Sequence, residues 1–427
     1  MKNLLNKFKK DVFLKNNVVF FVGSMIVAVL NYLYYPVLGR LLSVENFGEA
    51  QTINTLVLQS TVILSALGYV TIHLFSNIND KKIASEKVKN LEGSAFVISA
   101  LALILILFFQ SRIIAYFKFS SFVPLFSICI IFLINIPFTI KRAWIQAKED
   151  FFSVSVAGAV AAFSKLLFAA VLILLGYKIS GVISGLIIAT FLSLIYVTSK
   201  ADTDIHFKHH LATNYLKKVA KDPELRKDLY YIGMILAVLI AVTIFYSADI
   251  LFVRRYFSVT VSGLYAGVSA IANIIFFATL AFSNVMLPTI RIGELKVNQT
   301  NFYKALAITI FTGMGIWLIF FLFPKIIIGI LIGEKYLEYS ALLPQISLFI
   351  LLASVSNVIL IYLIALKKRV APVISILGVL LLFTLISLNN ESVNAIVKNF
   401  IYANTFVLAA GLSYVIFDMR KKSSLSS

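Results

Sequence analysis

The chain has 427 residues and a mass of 47.5 kDa, a length that would suit two or three soluble domains. Its composition excludes them, because 60% of the residues are hydrophobic and 13% are charged, against about 45–50% and 25% in a typical globular domain. Apolar runs of about 20 residues recur along the whole chain, each long enough to cross a hydrocarbon layer about 30 Å thick. The sequence therefore predicts an all-α integral membrane protein and excludes a soluble enzyme, a disordered protein and a disulfide scaffold.

The chain begins with a basic, amphipathic segment. Residues 1–16 place Leu4, Leu5 and Phe8 on one helical face, with lysines around it. This pattern predicts a helix that lies in the membrane interface before the first span. A cleaved signal peptide fits less well, because the following apolar stretch exceeds an h-region and no A-x-A-like site follows it.

Hydropathy predicts twelve membrane spans, divided six and six by the longest polar segment, a linker over 199–229. The first six spans form a predicted N-lobe over 17–198. The other six form a predicted C-lobe over 230–417, followed by a tail over 418–427. The predicted spans are 17–38, 51–76, 93–111, 122–140, 151–175, 181–198, 230–253, 262–288, 305–323, 341–366, 372–388 and 399–417.

The formal net charge of +19 follows the predicted topology. With the N-terminus in the cytoplasm, 28 of the 38 lysines and arginines fall in inside segments, nine fall outside and one lies within a span. The positive-inside rule then places both termini in the cytoplasm. Because most of the basic residues are explained as a topology signal, with attraction to anionic lipid headgroups as a secondary effect, no nucleic-acid partner is expected.

The two halves carry an internal repeat. An even number of spans in the first half lets the second half enter the membrane in the same orientation, as a parallel repeat requires. At a constant offset of 215 residues, four residues after span 1 recur after span 7: Arg40, Ser43, Val44 and Gly48 return as Arg255, Ser258, Val259 and Gly263. A second echo pairs FFQSRII at 108–114 with FLFPKII at 321–327. Together these matches predict a two-lobed transporter.

Few patterns in the chain suit catalysis. The outside segments are short and hold few carboxylates, and the sequence contains neither a P-loop nor a Gly-rich dinucleotide turn. No cluster of His, Cys and carboxylate has metal-ligand spacing, and His206, His209 and His210 lie in the polar linker. The sequence therefore disfavours a membrane enzyme and an ATP-driven pump, and it predicts no metal or cofactor.

One lysine and one aspartate fall inside predicted spans, where charge is costly and so points to function. Lys165 lies near the middle of the fifth span, too far from either surface to snorkel easily, which favours a water-filled cavity. Asp249 lies in the outer third of the seventh span. It is either a structural partner for Arg254 or Arg255, about one helical turn away, or a counter-ion and protonatable coupling site.

Polar side chains form stripes along several predicted helices, which either hydrogen-bond to neighbouring helices or line a hydrated lumen between the lobes. Because the stripes fall in repeat-related spans, we predict a lumen lined by Asn31, Tyr35, Thr55, Gln59, Tyr69, His73, Tyr265, Ser269 and Asn273. This lumen would be cationic, with one acid, Asp249, against Arg40, Lys165, Arg254 and Arg255. A cationic lumen suits an anionic substrate, and arginine side chains suit phosphate.

Three segments resemble polysaccharide flippases of the Wzx type. GRLLSVENFGEAQTI at 39–53 is similar to the segment after that family's first helix. SADILFVRRYFSVTVSGLYAGVSAI at 247–271 resembles its helix 7–8 signature, with an acid, a basic outer end and then Gly-Leu-Tyr. IIIGILIGEKYLEYSALLP at 326–344 resembles a turn motif of the same family. In order and spacing, the resemblance covers nearly the whole chain.

The resemblance implies a member of the multidrug/oligosaccharidyl-lipid/polysaccharide exporter (MOP) superfamily, built of two six-helix lobes in a V shape like the MATE transporters. Such members move polyprenyl-diphosphate-linked oligosaccharides across the bacterial cytoplasmic membrane for O-antigen (lipopolysaccharide), capsule or exopolysaccharide. Their basic residues and helix 7 acid carry over to Arg40, Arg255 and Asp249. The implied partners are the lipid-linked oligosaccharide, membrane lipids, and polysaccharide polymerase and chain-length proteins.

Two other classes stay open at this stage. A cation-coupled multidrug exporter of the same superfamily would be expected to hold several lumenal acids, whereas one is found in the predicted spans. A membrane polysaccharide polymerase or ligase would need a site on an external loop. Because no nucleotide site is visible, uphill transport would draw on a proton or sodium gradient, or on removal of the product outside.

Overall fold

The computed structural model describes residues 12–77, 81–201, 223–286, 289–290 and 295–424, and all regular elements within these ranges are helices. The first half contains α1 Val12–Leu41, α2 Val44–Asn77, α3 Lys81–Phe108, α4 Gln110–Phe117, α5 Val123–Ala147, α6 Phe151–Leu174 and α7 Lys178–Ala201. The second half contains α8 Pro223–Ser247, α9 Asp249–Tyr256, α10 Val259–Ala272, α11 Ile274–Met286, α12 Leu295–Leu322, α13 Pro324–Leu331, a 3₁₀ helix Glu334–Leu342, α14 Leu343–Ala365, α15 Val370–Leu388 and α16 Val393–Ser424.

The predicted membrane spans correspond to this set of helices. In the described ranges, eleven helical stretches are long and apolar enough to cross a membrane. The predicted first span, 17–38, lies within α1. The described apolar stretch of α1, Met25–Leu41, is shorter than the eleven candidate spans. The all-α membrane class predicted from the sequence is therefore confirmed.

Two of the sequence-based predictions fall largely outside the described residues. The interfacial helix predicted over 1–16 lies outside them up to residue 11, and α1 begins at Val12. The linker predicted over 199–229 lies outside them from 202 to 222, between the end of α7 and the start of α8.

The internal repeat is visible in the order of the helices. Val44 and Val259, which begin α2 and α10, are 215 residues apart, and so are Lys178 and Val393, which begin α7 and α16. The short helices α4 and α13 also correspond, so the FFQSRII and FLFPKII echo marks the junction of a long helix with a short one in each half. Equivalent serines cap equivalent helices, since Ser43 Oγ accepts from Asn46 N and Ser258 Oγ accepts from Val261 N.

The chain forms two compact units. The first consists of the chain up to Leu42 together with Leu56–Ile232, and the second consists of Ser43–Thr55 together with the chain from Gly233 onward. The start of α2 thus belongs to the second unit, although the sequence assigns 17–198 to one lobe.

Small residues let the helices of the first unit approach closely. α6 packs along α7 and α1, and α5 packs on α7. A Cβ added at Gly185 of α7 would lie 2.7 Å from the backbone nitrogen of Ala169 on α6, so glycine is required at that crossing. Gly176, with φ +94°, forms the turn between these two helices.

The second unit contains the start of α2 because of the contacts that this segment makes. The ring of Phe47 packs edge-on against that of Tyr336, with centroids 5.7 Å apart, and both residues are fully buried. Elsewhere in this unit, α14 packs on α12 and α16, with the rings of Phe302 and Tyr362 stacked at 4.4 Å.

Candidate functional site: a held lysine and a buried aspartate

Lys165 lies on α6 in the first unit and is half-buried. Its Nζ donates a hydrogen bond to Oδ1 of Asn31, 2.8 Å away, and lies 4.3 Å from the centre of the Tyr34 ring. Both partners come from α1, which packs along α6. Lys165 has no carboxylate partner in the part of the chain that the structure describes, so a neutral amide and an aromatic face hold its ammonium group there.

The two partners of Lys165 are held in place by their own contacts. Nδ2 of Asn31 donates to the carbonyl oxygen of Val27 at 3.0 Å, which directs Oδ1 to the lysine. Tyr34 is fully buried, and its ring packs edge-on against Tyr35 with centroids 5.8 Å apart. The Tyr34 hydroxyl is buried with no hydrogen-bond partner in the structure, so it is the ring face that interacts with the ammonium group.

Arg40 lies further along the same helix. It is exposed in the last turn of α1, nine residues after Asn31, which corresponds to about 13 Å at 1.5 Å per residue. Tyr35, predicted to line the lumen, is half-buried between these two positions. The first unit therefore carries one cation at the end of α1 and another deeper, where α1 meets α6.

Asp249 lies in the second unit, where the polypeptide leaves one helix and enters the next. α8 ends at Ser247 and α9 begins at Asp249, which is 0% exposed. Oδ2 of Asp249 accepts hydrogen bonds from the Tyr265 hydroxyl at 2.8 Å and from Ser269 Oγ at 2.6 Å. Oδ1 is buried with no partner in the structure.

These contacts correct one of the alternatives considered from the sequence. The carboxylate of Asp249 is paired with hydroxyl groups of α10, and neither Arg254 nor Arg255 binds it in the described structure. Asn273, the residue between α10 and α11, lies one turn after Ser269 and also has a buried, unpartnered Oδ1. Two helix breaks in this unit therefore each hold a side-chain oxygen without a hydrogen-bond donor.

The neighbouring Arg254 and Arg255 differ sharply in their surroundings. Arg254 is 1% exposed, donates from a terminal guanidinium nitrogen to Ser262 Oγ at 3.2 Å, and interacts electrostatically with Glu49. Arg255 is exposed. Glu49, in a segment that the sequence places outside, is itself buried at 4% exposure near the start of α2. Of the two arginines, Arg255 is the one accessible to a ligand in this structure.

The remaining residues predicted to line a lumen are divided between the units. Thr55 is buried in the second unit, whereas Gln59 is half-buried and Tyr69 is exposed in the first. The side chain of His73 lies outside the described structure. Tyr34 is not among the residues predicted to line a lumen, although its i, i+3 spacing from Asn31 places both residues on one face of α1.

In the described ranges, no group of three or more His, Cys, Asp or Glu side chains could hold a metal ion. The described structure is a repeated set of apolar helices. Lys165 lies between α1 and α6, and the carboxylate of Asp249 lies at the junction of α8 and α9. Discontinuous helices that carry charged groups are typical of secondary transporters. The fold and these groups are those of a multi-pass, all-helical membrane protein.

The family model described as "Polysaccharide biosynthesis protein" matches residues 37–341, which is more than half of the chain. The protein belongs to this polysaccharide biosynthesis family, as the motifs at 39–53, 247–271 and 326–344 indicate. No curated protein sequence matches the chain significantly.

Several solved structures share the fold of this chain. Lipid II flippase MurJ, in its inward closed conformation, superposes with a TM-score of 0.72 at 16% identity, covering 95% of this chain and 89% of that one. A multidrug resistance MATE family transporter of the MOP superfamily, in an inward-facing conformation, gives a TM-score of 0.70 at 11% identity and covers 96% and 99%. A MOP superfamily transporter from Pyrococcus furiosus gives 0.57 at 12% identity, covering 97% and 96%. The predicted MOP-type fold is confirmed.

Proposed function

We propose that the protein is a flippase that moves polyprenyl-diphosphate-linked oligosaccharide repeat units from the cytoplasmic to the outer leaflet of the bacterial cytoplasmic membrane. The transported unit would serve the synthesis of O-antigen, capsule or exopolysaccharide. Membership of the polysaccharide biosynthesis family and a fold shared with a lipid II flippase support this proposal. Translocation by alternating access requires no chemical step, so the protein would not be an enzyme.

The observation that carries the proposal is the environment of Lys165. An ammonium group at membrane depth is costly unless something compensates its charge, and the described contacts of Lys165 include no carboxylate. Asn31 and Tyr34 orient the group without neutralising it. A diphosphate would supply the missing negative charge, and Lys165 has further N–H donors for its oxygens.

The two exposed arginines extend this proposal. Arg40 and Arg255 would attract and orient the diphosphate, because one guanidinium group can donate two parallel hydrogen bonds to two phosphate oxygens. Arg254, in contrast, has internal partners in Ser262 and Glu49, so we assign it to the stability of the second unit. Of the stripe residues, the half-buried Tyr35 and the exposed Tyr69 would contact the sugar hydroxyls, whereas Thr55, Tyr265 and Ser269 are buried.

Asp249 is proposed to couple transport to an ion gradient. Its Oδ1 and that of Asn273 are buried acceptors without donors, and an added proton or sodium ion would satisfy such oxygens. Each of these oxygens lies at a break between two helices. Secondary transporters use such breaks to bind coupling ions. A ligand with different affinities for two conformations shifts their populations, which is what coupling requires.

The protein is reconstituted in proteoliposomes that contain a labelled polyprenyl-diphosphate oligosaccharide. The measured quantity is the fraction of label that a membrane-impermeant reagent can reach. Lys165→Ala is expected to lose translocation by about tenfold or more, as removal of a charged hydrogen-bonding group should. Lys165→Arg should keep part of it, because charge remains while geometry changes. Lys398→Ala, at an exposed lysine of α16, is the matched control.

Two results would contradict the proposal. Transport of a lipophilic drug cation without transport of the lipid-linked oligosaccharide would identify a multidrug exporter instead. Undiminished translocation by a folded Lys165→Ala variant would assign this lysine to packing.

A further inference from the structure

A small cavity lined by polar and apolar side chains, Val88 and Ile140 among them, lies between α3 and α5 in the first unit, away from the Lys165 site. It has a volume of about 20 Å³ and is partly open to its surroundings. Ser85, Lys89 and Glu92 line it from α3, spaced so that they share one face of that helix. Lys141 and Trp144 line it from α5, one turn apart. In the predicted topology, both lysines contribute only to the positive charge of the inside segments.

Three side chains of the cavity lining, two of them charged, are buried and do not form a solvated surface. Lys141 is 3% exposed, Glu92 is 9% exposed and Trp144 is 6% exposed. The indole Nε1–H of Trp144 is buried with no hydrogen-bond partner in the structure, which is an unfavourable state for a donor. The lining contains two lysines and one glutamate, so its formal charge is +1.

The position of the cavity along the two helices indicates its depth. Ser85 begins the apolar stretch Ser85–Phe108, and Trp144 lies three residues before the end of the stretch Val123–Ala147. The cavity is therefore at the rim of the hydrocarbon layer, where tryptophan is typically enriched. By the positive-inside assignment this rim is the cytoplasmic one, and basic pockets between spans on that side bind lipid headgroups.

We propose that this cavity binds the phosphoryl group of an anionic membrane lipid, with one phosphate oxygen in the cavity and the rest of the headgroup at its opening. A volume of about 20 Å³ admits one oxygen atom of water size. That oxygen would accept hydrogen bonds from the lysine side chains of the lining, with the Trp144 ring beside it. The lipid would fix the start of α3 against the end of α5, a role separate from translocation.

The two tryptophans of the chain make the test direct. Trp317, whose Nε1 donates to the carbonyl oxygen of Pro344, is replaced in a Trp317→Phe parent, so that emission reports Trp144 alone. The parent is reconstituted in phosphatidylcholine nanodiscs with increasing phosphatidylglycerol or, separately, undecaprenyl phosphate. A saturable change in emission is expected with whichever phosphoryl lipid binds, and the two series identify which one it is.

Lysine variants of α3 and α5 provide the matched comparison. Lys89→Met and Lys141→Met should raise the half-saturating lipid fraction about tenfold, the loss expected for about 1.4 kcal/mol. Lys87→Met, two residues from Lys89 and outside the lining, should behave as the parent does. Because Lys141 is deeply buried, the half-buried Lys89 keeps the test valid if Lys141→Met does not fold.

Three outcomes would overturn the inference. An unsaturable response to both lipids, or equal responses from Lys87→Met and Lys89→Met, would leave the cavity as a water site. A response to inorganic phosphate in pure phosphatidylcholine would identify a site for free phosphate. None of these readouts depends on translocation, so failure of this inference is distinguishable from failure of the proposed flippase activity.

Discussion

Thr260 donates a hydrogen bond from Oγ1 to Oε1 of Glu45 at 3.1 Å, and these residues are 215 apart in the chain. This separation is also the offset of the internal repeat, so equivalent positions of α2 and α10 contact each other. Gly48 and Gly263, also 215 apart, meet in the same way, since a Cβ on Gly48 would lie 2.7 Å from the Cα of Gly263. The starts of two repeat-related helices thus pack through matching residues, as in an isologous contact.

Substitution of Gly263 tests this close contact. A Cβ at Gly263 would lie 2.2 Å from the carbonyl oxygen of Val44, which is backbone and cannot move aside cheaply. We expect Gly263→Ala to destabilise the protein by about 1–3 kcal/mol, the usual cost of overpacking. Thermal unfolding in detergent measures the effect. Gly233→Ala, where a Cβ meets nothing within 4 Å, should leave the melting temperature unchanged or raise it; similar losses in both variants would contradict the contact.

Tyr34 separates the role of an aromatic face from that of a hydroxyl group. Tyr34→Phe keeps the ring 4.3 Å from Lys165 Nζ and removes a buried hydroxyl that has no partner, so it should transport as well as the wild type. Tyr34→Leu removes a cation–π contact worth about 0.5–2 kcal/mol and should weaken transport. The difference should vanish in a Lys165→Ala background, as a double-mutant cycle measures. Equal impairment by Phe and Leu would show that the ring face is not what matters.

Arg254 and Arg255 should respond differently to the same change. Arg254→Met leaves Glu49 buried without its charged partner, which costs about 3–5 kcal/mol, so the yield of folded protein should fall. Arg255→Met changes an exposed side chain and should alter stability by less than about 0.5 kcal/mol. If Arg255 binds substrate, its variant should be folded yet poor in transport. A fully active Arg255→Met variant would remove this residue from the substrate site.

Asp249→Asn tests coupling independently of substrate binding. The amide keeps the size of the side chain and removes the charge that would attract a proton or sodium ion. We expect the variant to bind the lipid diphosphate while its transport no longer responds to an imposed ion gradient. Ser269→Ala, which removes one donor to Oδ2 and leaves the carboxylate, is the companion variant and should still respond to the gradient. Normal transport by Asp249→Asn, with the gradient intact and with it collapsed, would make Asp249 a structural residue.

The topology is tested with reporter fusions. Fusions at Ser120 and Lys335 should report the outside, and fusions within 199–229 and at Ser424 should report the cytoplasm. The predicted topology places 28 of the 38 basic residues on the cytoplasmic side. An outside signal from the 199–229 linker would overturn the predicted topology and would also place the cavity of α3 and α5 at the opposite membrane surface.

The sequence by itself determined the membrane class, the positions of the spans and the repeat. Hydropathy is a local property of about 20 consecutive residues, so each long helix could be predicted without its neighbours. The offset of 215 residues was likewise readable, because it depends on matching residues along one chain. The family could be predicted from three sequence motifs, because their order and spacing along the chain match those of the family.

Only the tertiary structure decided which polar groups meet. Asn31 and Lys165 are 134 residues apart, and nothing in either local sequence indicates that α1 crosses α6 at that depth. Arg254 and Arg255 are adjacent in sequence, yet one is buried and the other exposed, because burial depends on which helix packs against each position. The partners of Asp249 were decided in the same way, since hydroxyl groups of α10 reach its carboxylate and the nearby arginines do not.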